Sequence, residues 1–256
     1  MHNLILSGGG VKAILHLGAL KALDENGLLK NIKNYLGSSA GAFLSLLLCI
    51  GYNYNDIIII FLKIEIDKFY EISDIFNFLN NYGLMSLSPI ARLLRLFLNA
   101  KFKKKHINFK ELYELTGKTL HINAINVSST EEVLFNYKNT PDIDIVDACI
   151  ASCSIPFIFL PVKINGEYYM DAFAVNNYPC KFFCDDLENS IGIEIGNKYY
   201  NKINNFQDYI MNIFTSLKNY NYYNNRTNFL PKLNVSVDCE FNTINLDIKK
   251  KDIENI

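Results

Sequence analysis

A serine stands between two glycines in Gly37-x-Ser39-x-Gly41. A nucleophile elbow needs that pattern: the serine hydroxyl is presented on a sharp strand-to-helix turn, and the small neighbours let strand and helix approach closely. Thirty residues earlier runs Ser7-Gly8-Gly9-Gly10-Val11-Lys12. Three glycines let the backbone turn its N–H groups toward one point, where a helix N-terminus adds positive potential. Such a loop binds phosphate or stabilises an oxyanion. Gly8 to Ala13 also fits the dinucleotide fingerprint G-x-G-x-x-A, so a dinucleotide-binding oxidoreductase is an alternative. No G-K-[ST] follows at the spacing of a phosphate-binding P-loop, which excludes that class. A dinucleotide fold wants an acidic residue at the end of its second strand to hold the ribose. Ser39 occupies that place, which favours acyl transfer.

A serine nucleophile needs a base. In α/β-hydrolases the order is Ser, then Asp or Glu, then His. The histidines here are His2, His16, His106 and His121, and none lies in the second half of the chain. Asp171 is the remaining candidate. It follows the apolar run Tyr168-Tyr169-Met170 and precedes the turn-rich Asn176-Asn177-Tyr178-Pro179. Apolar neighbours imply a partly buried carboxylate, and burial lifts its pKa toward a useful range for a base. A turn-capping aspartate is the alternative reading of the same residues. Cysteines stand at 49, 149, 153, 180, 184 and 239 without any C-x-x-C pair. That spacing fits buried free thiols in a reducing compartment better than a zinc site.

The elements around these residues follow from periodicity. His2 to Ser7 reads as a buried strand, and Val11 to Asn26 as a helix closed by Gly27. Asn34 to Leu36 is a short strand, and Phe43 to Gly51 an apolar helix. Strand, helix, strand, helix implies parallel pairing and an α/β fold. Asp56 to Leu98 reads as mostly helical, with Ser88-Pro89 as N-cap and N1 of a helix over Ile90 to Leu98. Helices are also expected over Asn108 to Leu115, Asp144 to Ala151 and Ile203 to Tyr223. Further strands are expected at Leu120–Val127, Val133–Tyr137, Tyr168–Met170, Ile191–Ile195 and Leu233–Val237. No repeat or linker divides the 256 residues.

Half of the residues are hydrophobic, which excludes a disordered chain, and the formal net charge of -1 excludes a dedicated nucleic-acid binder. No basic segment precedes the first apolar run, unlike a secretory signal. No apolar run approaches the roughly 20 residues that span a bilayer. The expectation is a cytoplasmic protein, peripheral to membranes at most.

In four blocks the sequence resembles the patatin-like phospholipase family. LILSGGGVKAILHLGALKAL, residues 4–23, is similar to that family's opening strand, oxyanion loop and first helix. Gly37 to Gly41 resembles its elbow. ACIASCSIPFIFLPV, Ala148 to Val162, resembles its small-residue helix and proline turn, and YMDAFAVNNYP, Tyr169 to Pro179, its catalytic-aspartate block. The resemblance implies an α/β, patatin-like three-layer sandwich with a central mainly parallel sheet. It implies one domain over 1–256, with a helical cap insertion at about 56–116. It implies a lipid acyl hydrolase of phospholipase A type, with Ser39 as nucleophile and Asp171 as general base, which explains the missing histidine. Backbone N–H groups of Gly8, Gly9, Gly10 and Val11 would form the oxyanion hole, and Gly37 and Gly41 would shape the elbow. Lys12 would meet an anionic head group, or else stand as a solvated lysine at the helix start. Neither cofactor nor metal is implied. The implied partner is a phospholipid membrane surface, with no nucleic acid and with room for an activating protein.

The chain departs from the family at Ala172 and Phe173, where small residues or glycine are usual. If either position requires positive φ, a side chain there costs on the order of 1 kcal/mol or more and displaces the aspartate. A weakly active or inactive lipid-binding protein of the same fold is then the alternative. Phe173 could instead line an acyl pocket. Ala13 replaces a common glycine in the first helix, with little consequence. Membrane contact is expected from residues 56–105, where Ile57 to Leu62 is apolar, Ile90 to Leu98 is amphipathic with Arg92 and Arg95, and Lys101, Lys103, Lys104 and Lys105 follow.

Overall fold

In a computed structural model of the chain the described residues are 1–63, 71–72, 78–196, 203–225 and 229–238. Cys239 and parts of the expected Asp56–Leu98 helical stretch lie outside them. Strand β1 (Asn3–Leu6) is buried along its whole length, as a central parallel strand must be. Its side chains alternate: Leu4 and Leu6 enter the main core, and Ile5 packs on the opposite face with Leu36 and Cys180. β1 pairs in parallel with β2 (Asn34–Ser38) and with β10 (Ser190–Ile195). β10 pairs in parallel with β11 (Leu233–Val237), and β2 with β5 (Thr119–Asn126). Beyond this parallel set, β6 (Glu131–Phe135), β8 (Val162–Ile164) and β9 (Glu167–Met170) add antiparallel pairs. The molecule is thus an α/β fold with a mainly parallel central sheet.

One face of the sheet carries the helical layer. α1 (Ile14–Glu25), α2 (Ala40–Cys49), α6 (Phe109–Thr116) and α7 (Ile145–Cys153) contribute to one continuous core there. α2 is buried from Gly41 to Cys49, which its unbroken apolar sequence requires. α3 (Tyr54–Lys63) and α5 (Ser88–Phe102) close the outer side of this layer through Ile57, Leu94 and Leu98. On the other face, among the described residues, lies a 3₁₀ stretch at Cys180–Asn189 with Phe182, Phe183 and Leu187 against Ile5 and Leu36. α8 (Phe173–Asn176) and α9 (Phe206–Asn225) pack on each other near the ends of the strands.

Several expectations shift. The glycine loop enters a 3₁₀ turn at Gly10–Ala13 before α1 begins, with Gly10 at φ +56°, the left-handed region open to glycine. α2 starts at Ala40, directly after Ser39, because the elbow itself is the helix entry. Ser88 is the first residue of α5, with Leu87 at the N-cap, and the helix continues past Leu98 to Phe102. The stretch expected as mostly helical also contains β3 (Glu71–Ile72) and β4 (Gly83–Ser86), alongside the single turn α4 (Phe78–Asn81). β4 pairs in parallel with β7 (Phe157–Phe159), a partner some seventy residues away that local periodicity cannot reveal.

Register at one strand positions the site. At Ile125 and Asn126, β5 has β6 on one side and β9 on the other. At Ile122 and Asn123, β6 keeps its side and β2 takes the place of β9. β2 runs parallel to β5 and β9 antiparallel to it, so the two lie end to end and run toward each other. Ser38 ends β2 opposite Asn123, and Met170 ends β9 opposite Ile125. Only the level of Ala124 separates them. The next residue of each strand is Ser39 and Asp171.

Candidate active site

Ser39 adopts φ +52° and ψ −126°, a conformation that side chains strongly disfavour. The surroundings hold it there. Its N–H donates to Ser152 Oγ at 2.8 Å, and Ser152 Oγ donates to the Asn123 carbonyl at 2.7 Å. The Ser39 carbonyl accepts from Ala42 and Phe43, which starts α2. The flanking glycines make the turn possible: a Cβ on Gly37 would overlap the backbone of Gly41 and Ala42, and one on Gly41 would overlap the Leu6 and Ser7 carbonyls. Strand β1, the elbow and α2 therefore approach at backbone distance.

Asp171 is 2% exposed. Its N–H donates to the Ser154 carbonyl at 2.9 Å, and its Oδ1 accepts from the Phe173 N–H at 2.9 Å. Burial pushes its pKa up to about 7, and the Ser39 hydroxyl and the Phe173 N–H offset part of that rise. Oδ2 is buried without a completed hydrogen bond among the described residues. The Ser39 hydroxyl is near enough to the carboxyl to hold its pKa down while Oδ2 makes no completed hydrogen bond, a loose arrangement common in substrate-free acyl-transfer sites. Ala172 sits at φ −84° and Phe173 opens α8. Neither adopts positive φ. The expected backbone penalty at these two positions does not arise, and Phe173 instead donates to the carboxylate and lines the cavity.

The glycine loop faces the same space. A cavity of about 20 Å³ is lined by Gly8, Gly9, Gly10, Ser39, Asp171 and Asn177, with Ile155, Phe173, Met211, Thr215 and Lys218 completing the wall. That is room for about one water. The Gly8 N–H already donates to the Asn177 carbonyl at 2.9 Å, and Asn177 Nδ2 returns a bond to the Gly8 carbonyl at 3.1 Å. Gly8 is therefore clamped and has no N–H to offer an oxyanion. Gly9, Gly10 and Val11 donate to no backbone or side-chain acceptor among the described residues. Of these, Gly9 and Gly10 line the cavity and Val11 does not.

Lys12 does not stand in solvent: it is 1% exposed. His16 in α1 is buried, and burial holds its pKa down to about 3. His121 stacks edge-on against Phe183 of the 3₁₀ layer, with its pKa lowered to about 4 by burial. His106 meets Arg95 and Asp144 between α5 and α7. No histidine lines the cavity. Among the described residues no three metal-ligating side chains converge.

The sequence reading assigned no role to Ser152, Ser154, Asn177, Met211, Thr215 or Lys218. The first two lie in the ACIASCSIP block, whose small residues were the only available signal. The last three come from α9, which folds over the strand ends and rests Met211 and Phe214 on Phe173. The basic residues of α5 are engaged: Arg92 pairs with Glu71 at 2.6 Å, and Arg95 with Asp144 at 3.0 Å and Asp147 at 2.7 Å. Lys104 pairs with Glu111, and Lys101 lies over the Tyr52 ring. No described helix is long and apolar enough to cross a membrane.

Comparison with known proteins identifies the family and the fold. The sequence model described as patatin-like phospholipase matches residues 4–183. A relative from Invertebrate iridescent virus 6, named probable lipid hydrolase 463L, is 34% identical over 85% of this chain and 71% of its own length. The triacylglycerol lipase ptl2 of Schizosaccharomyces pombe is 31% identical over 73% of this chain but only 30% of its own. Among solved structures, VipD from Legionella pneumophila superposes with a TM-score of 0.53 at 20% identity, covering 79% of this chain and 51% of that one. The type III effector ExoU superposes with a TM-score of 0.54 at 16% identity, covering 99% and 50%. The chain spans about half the length of these two structures, which share its fold.

Proposed function

The chain belongs to the patatin-like phospholipase family, a lipid hydrolase family, and we propose that it cleaves fatty-acyl esters of glycerophospholipids through a Ser39–Asp171 dyad. In this reading Asp171 accepts the Ser39 proton as Oγ attacks the ester carbonyl carbon. The carbonyl oxygen becomes an oxyanion held by the Gly9 and Gly10 N–H groups, donors worth roughly 3–4 kcal/mol each where such holes have been dissected. The tetrahedral centre collapses, the C–O bond of the ester breaks, and the leaving alkoxide takes the proton from Asp171. Water then attacks the acyl-serine while Asp171 accepts its proton. The second collapse releases the fatty acid and returns the proton to Ser39.

The observation that carries this reading is the end-to-end meeting of β2 and β9, with a buried carboxylate and a strained serine beside two uncommitted glycine N–H groups. A carboxylate with pKa near 7 is matched to neutral pH as a base. The lipid-binding alternative without catalysis loses its motive, because Ala172 and Phe173 adopt ordinary helical-side conformations.

We assign membrane contact chiefly to the outer face of α9. Phe206, Tyr209, Ile213, Leu217 and Tyr220 recur every three or four residues along it and are all exposed, Tyr220 at 71%. The inner face of that helix covers the dyad. Docking of its outer face on a bilayer therefore gives a route to opening a site that holds no lipid when closed. Fatty-acid release from mixed phospholipid vesicles without calcium tests the function. Wild type should release fatty acid, and Ser39→Ala and Asp171→Asn should not. Background release from all three would reject it.

A further inference from the structure

Lys218 lies in the wall between two spaces. On one side is the catalytic cavity with Ser39 and Asp171. On the other is a cleft of about 260 Å³, large enough for a polar head group and lined by Asn176, Asn177, Lys181, Glu194, Lys218 and Asn221 among others. Asn177 is common to both spaces as well. The two are thus neighbouring compartments that share a lysine and an amide.

We propose that this cleft is the phosphodiester subsite of the active site, with Lys218 as the cation that meets the lipid phosphate, so that the substrate is a phosphate-bearing rather than a neutral glycerolipid. The inference rests on the phospholipid-hydrolase reading above and adds the compartment and the side chain that would recognise the phosphate. In a glycerophospholipid the phosphate and the acyl esters hang from one glycerol, a few bonds apart. An ester at Ser39 therefore leaves the phosphate within reach of an adjoining compartment. Among the charged groups near Lys218, Glu194 on β10 attracts it and Lys12 repels it. Burial lowers the Lys218 pKa to about 8. A phosphate in the cleft would favour the charged ammonium, in a charge-assisted bond stronger than a neutral one. Lys181 stands at the cleft with Glu132 as its ion-pair partner, and so serves the rim. Lys12, which the sequence suggested for the head group, is buried at 1% exposure; among the described residues the cation that lines the cavity is Lys218.

The test compares two soluble substrates with identical acyl chains, dihexanoylphosphatidylcholine and dihexanoylglycerol, below their aggregation limits. The readout is the ratio of their kcat/KM values. Lys218→Gln should lower that ratio about tenfold, chiefly through KM for the phospholipid, and Lys218→Arg should restore most of it. A ratio unchanged in Lys218→Gln, or one that Lys218→Arg does not restore, would overturn the assignment. A binding arm separates this proposal from the hydrolase reading. In a Ser39→Ala background, calorimetry should show dihexanoylphosphatidylcholine binding that Lys218→Gln weakens about tenfold, even if wild type hydrolyses neither ester. Equal binding with and without Lys218 would reject the subsite. Inorganic phosphate is the remaining arm: binding as tight as that of the phospholipid would make this a free-phosphate site and reject the lipid assignment.

Discussion

Asp171→Asn separates the electrostatics of the site from its chemistry. In the folded protein, burial raises the carboxyl from an ordinary 3.8 to about 7. A rise of roughly three units corresponds to about 4 kcal/mol at about 1.4 kcal/mol per unit. Its sign follows from proton counting. Between about pH 4 and pH 7 the folded state keeps a proton that the unfolded chain has released. The unfolded state binds fewer protons there, so stability falls as pH rises. Above about pH 7 the full cost of the buried anion is present. Asparagine keeps an Oδ1 to accept the Phe173 N–H and has no charge to bury. Urea denaturation of wild type and Asp171→Asn at pH 4.5 and pH 8.5 should show the variant gaining on wild type by up to about 4 kcal/mol across that interval. In parallel, wild-type kcat/KM should climb with pH through about 7, because the base must be ionised. A stability difference that stays flat with pH would refute the burial argument. Hydrolysis surviving in the variant would refute the assignment of the base.

Further outcomes follow from the same geometry. Ser39→Gly should stabilise the protein by about 1–3 kcal/mol while abolishing hydrolysis, since glycine relieves the positive φ; Ser39→Ala, which keeps a Cβ, should not gain that stability, and thermal melting distinguishes the two. Ser152→Ala leaves the buried Ser39 N–H without its acceptor and removes the hydroxyl bond to the Asn123 carbonyl, so denaturation should report a loss of about 2 kcal/mol, with slower acyl-enzyme formation. Arg95→Ala, which strips a largely buried guanidinium from Asp144 and Asp147 at the junction of α5 and α7, should cost about 3 kcal/mol in the same measurement. Leu217→Asp with Tyr220→Asp on the outer face of α9 should cut co-sedimentation with phospholipid vesicles severalfold.

Short-range chemistry was well written in the sequence. The buried strand before the glycines, the elbow at Gly37 to Gly41 and the burial of Asp171 all follow from patterns within about ten residues, and the parallel α/β class from their order. What remained hidden depends on distant partners. β4 is a strand because Gly83 and Met85 pair with Phe157 and Phe159, and nothing within its own four residues announces that. Lysine is rarely buried, so Lys12 reads as solvated until the fold encloses it. Gly8 fits an oxyanion donor by motif, yet Asn177, far along the chain, takes its N–H. Periodicity shows that α9 has two faces, but not that one would carry Met211, Thr215 and Lys218 onto the serine. Ser152 carried no signal beyond its place in a small-residue block; its role exists because α7 packs against α2 and β5 beside the elbow.

The pairing of Ser39 with Asp171 is tested most directly by covalent capture. An alkyl fluorophosphonate phosphonylates a serine oxygen only where a base activates it and an oxyanion hole receives the phosphoryl oxygen. Intact-mass and peptide analysis of wild type should show one phosphonyl adduct, on the peptide containing Ser39, with Asp171→Asn labelled at least a hundredfold more slowly and Ser39→Ala not at all. Labelling at another residue, or equal labelling of wild type and Asp171→Asn, would contradict the dyad.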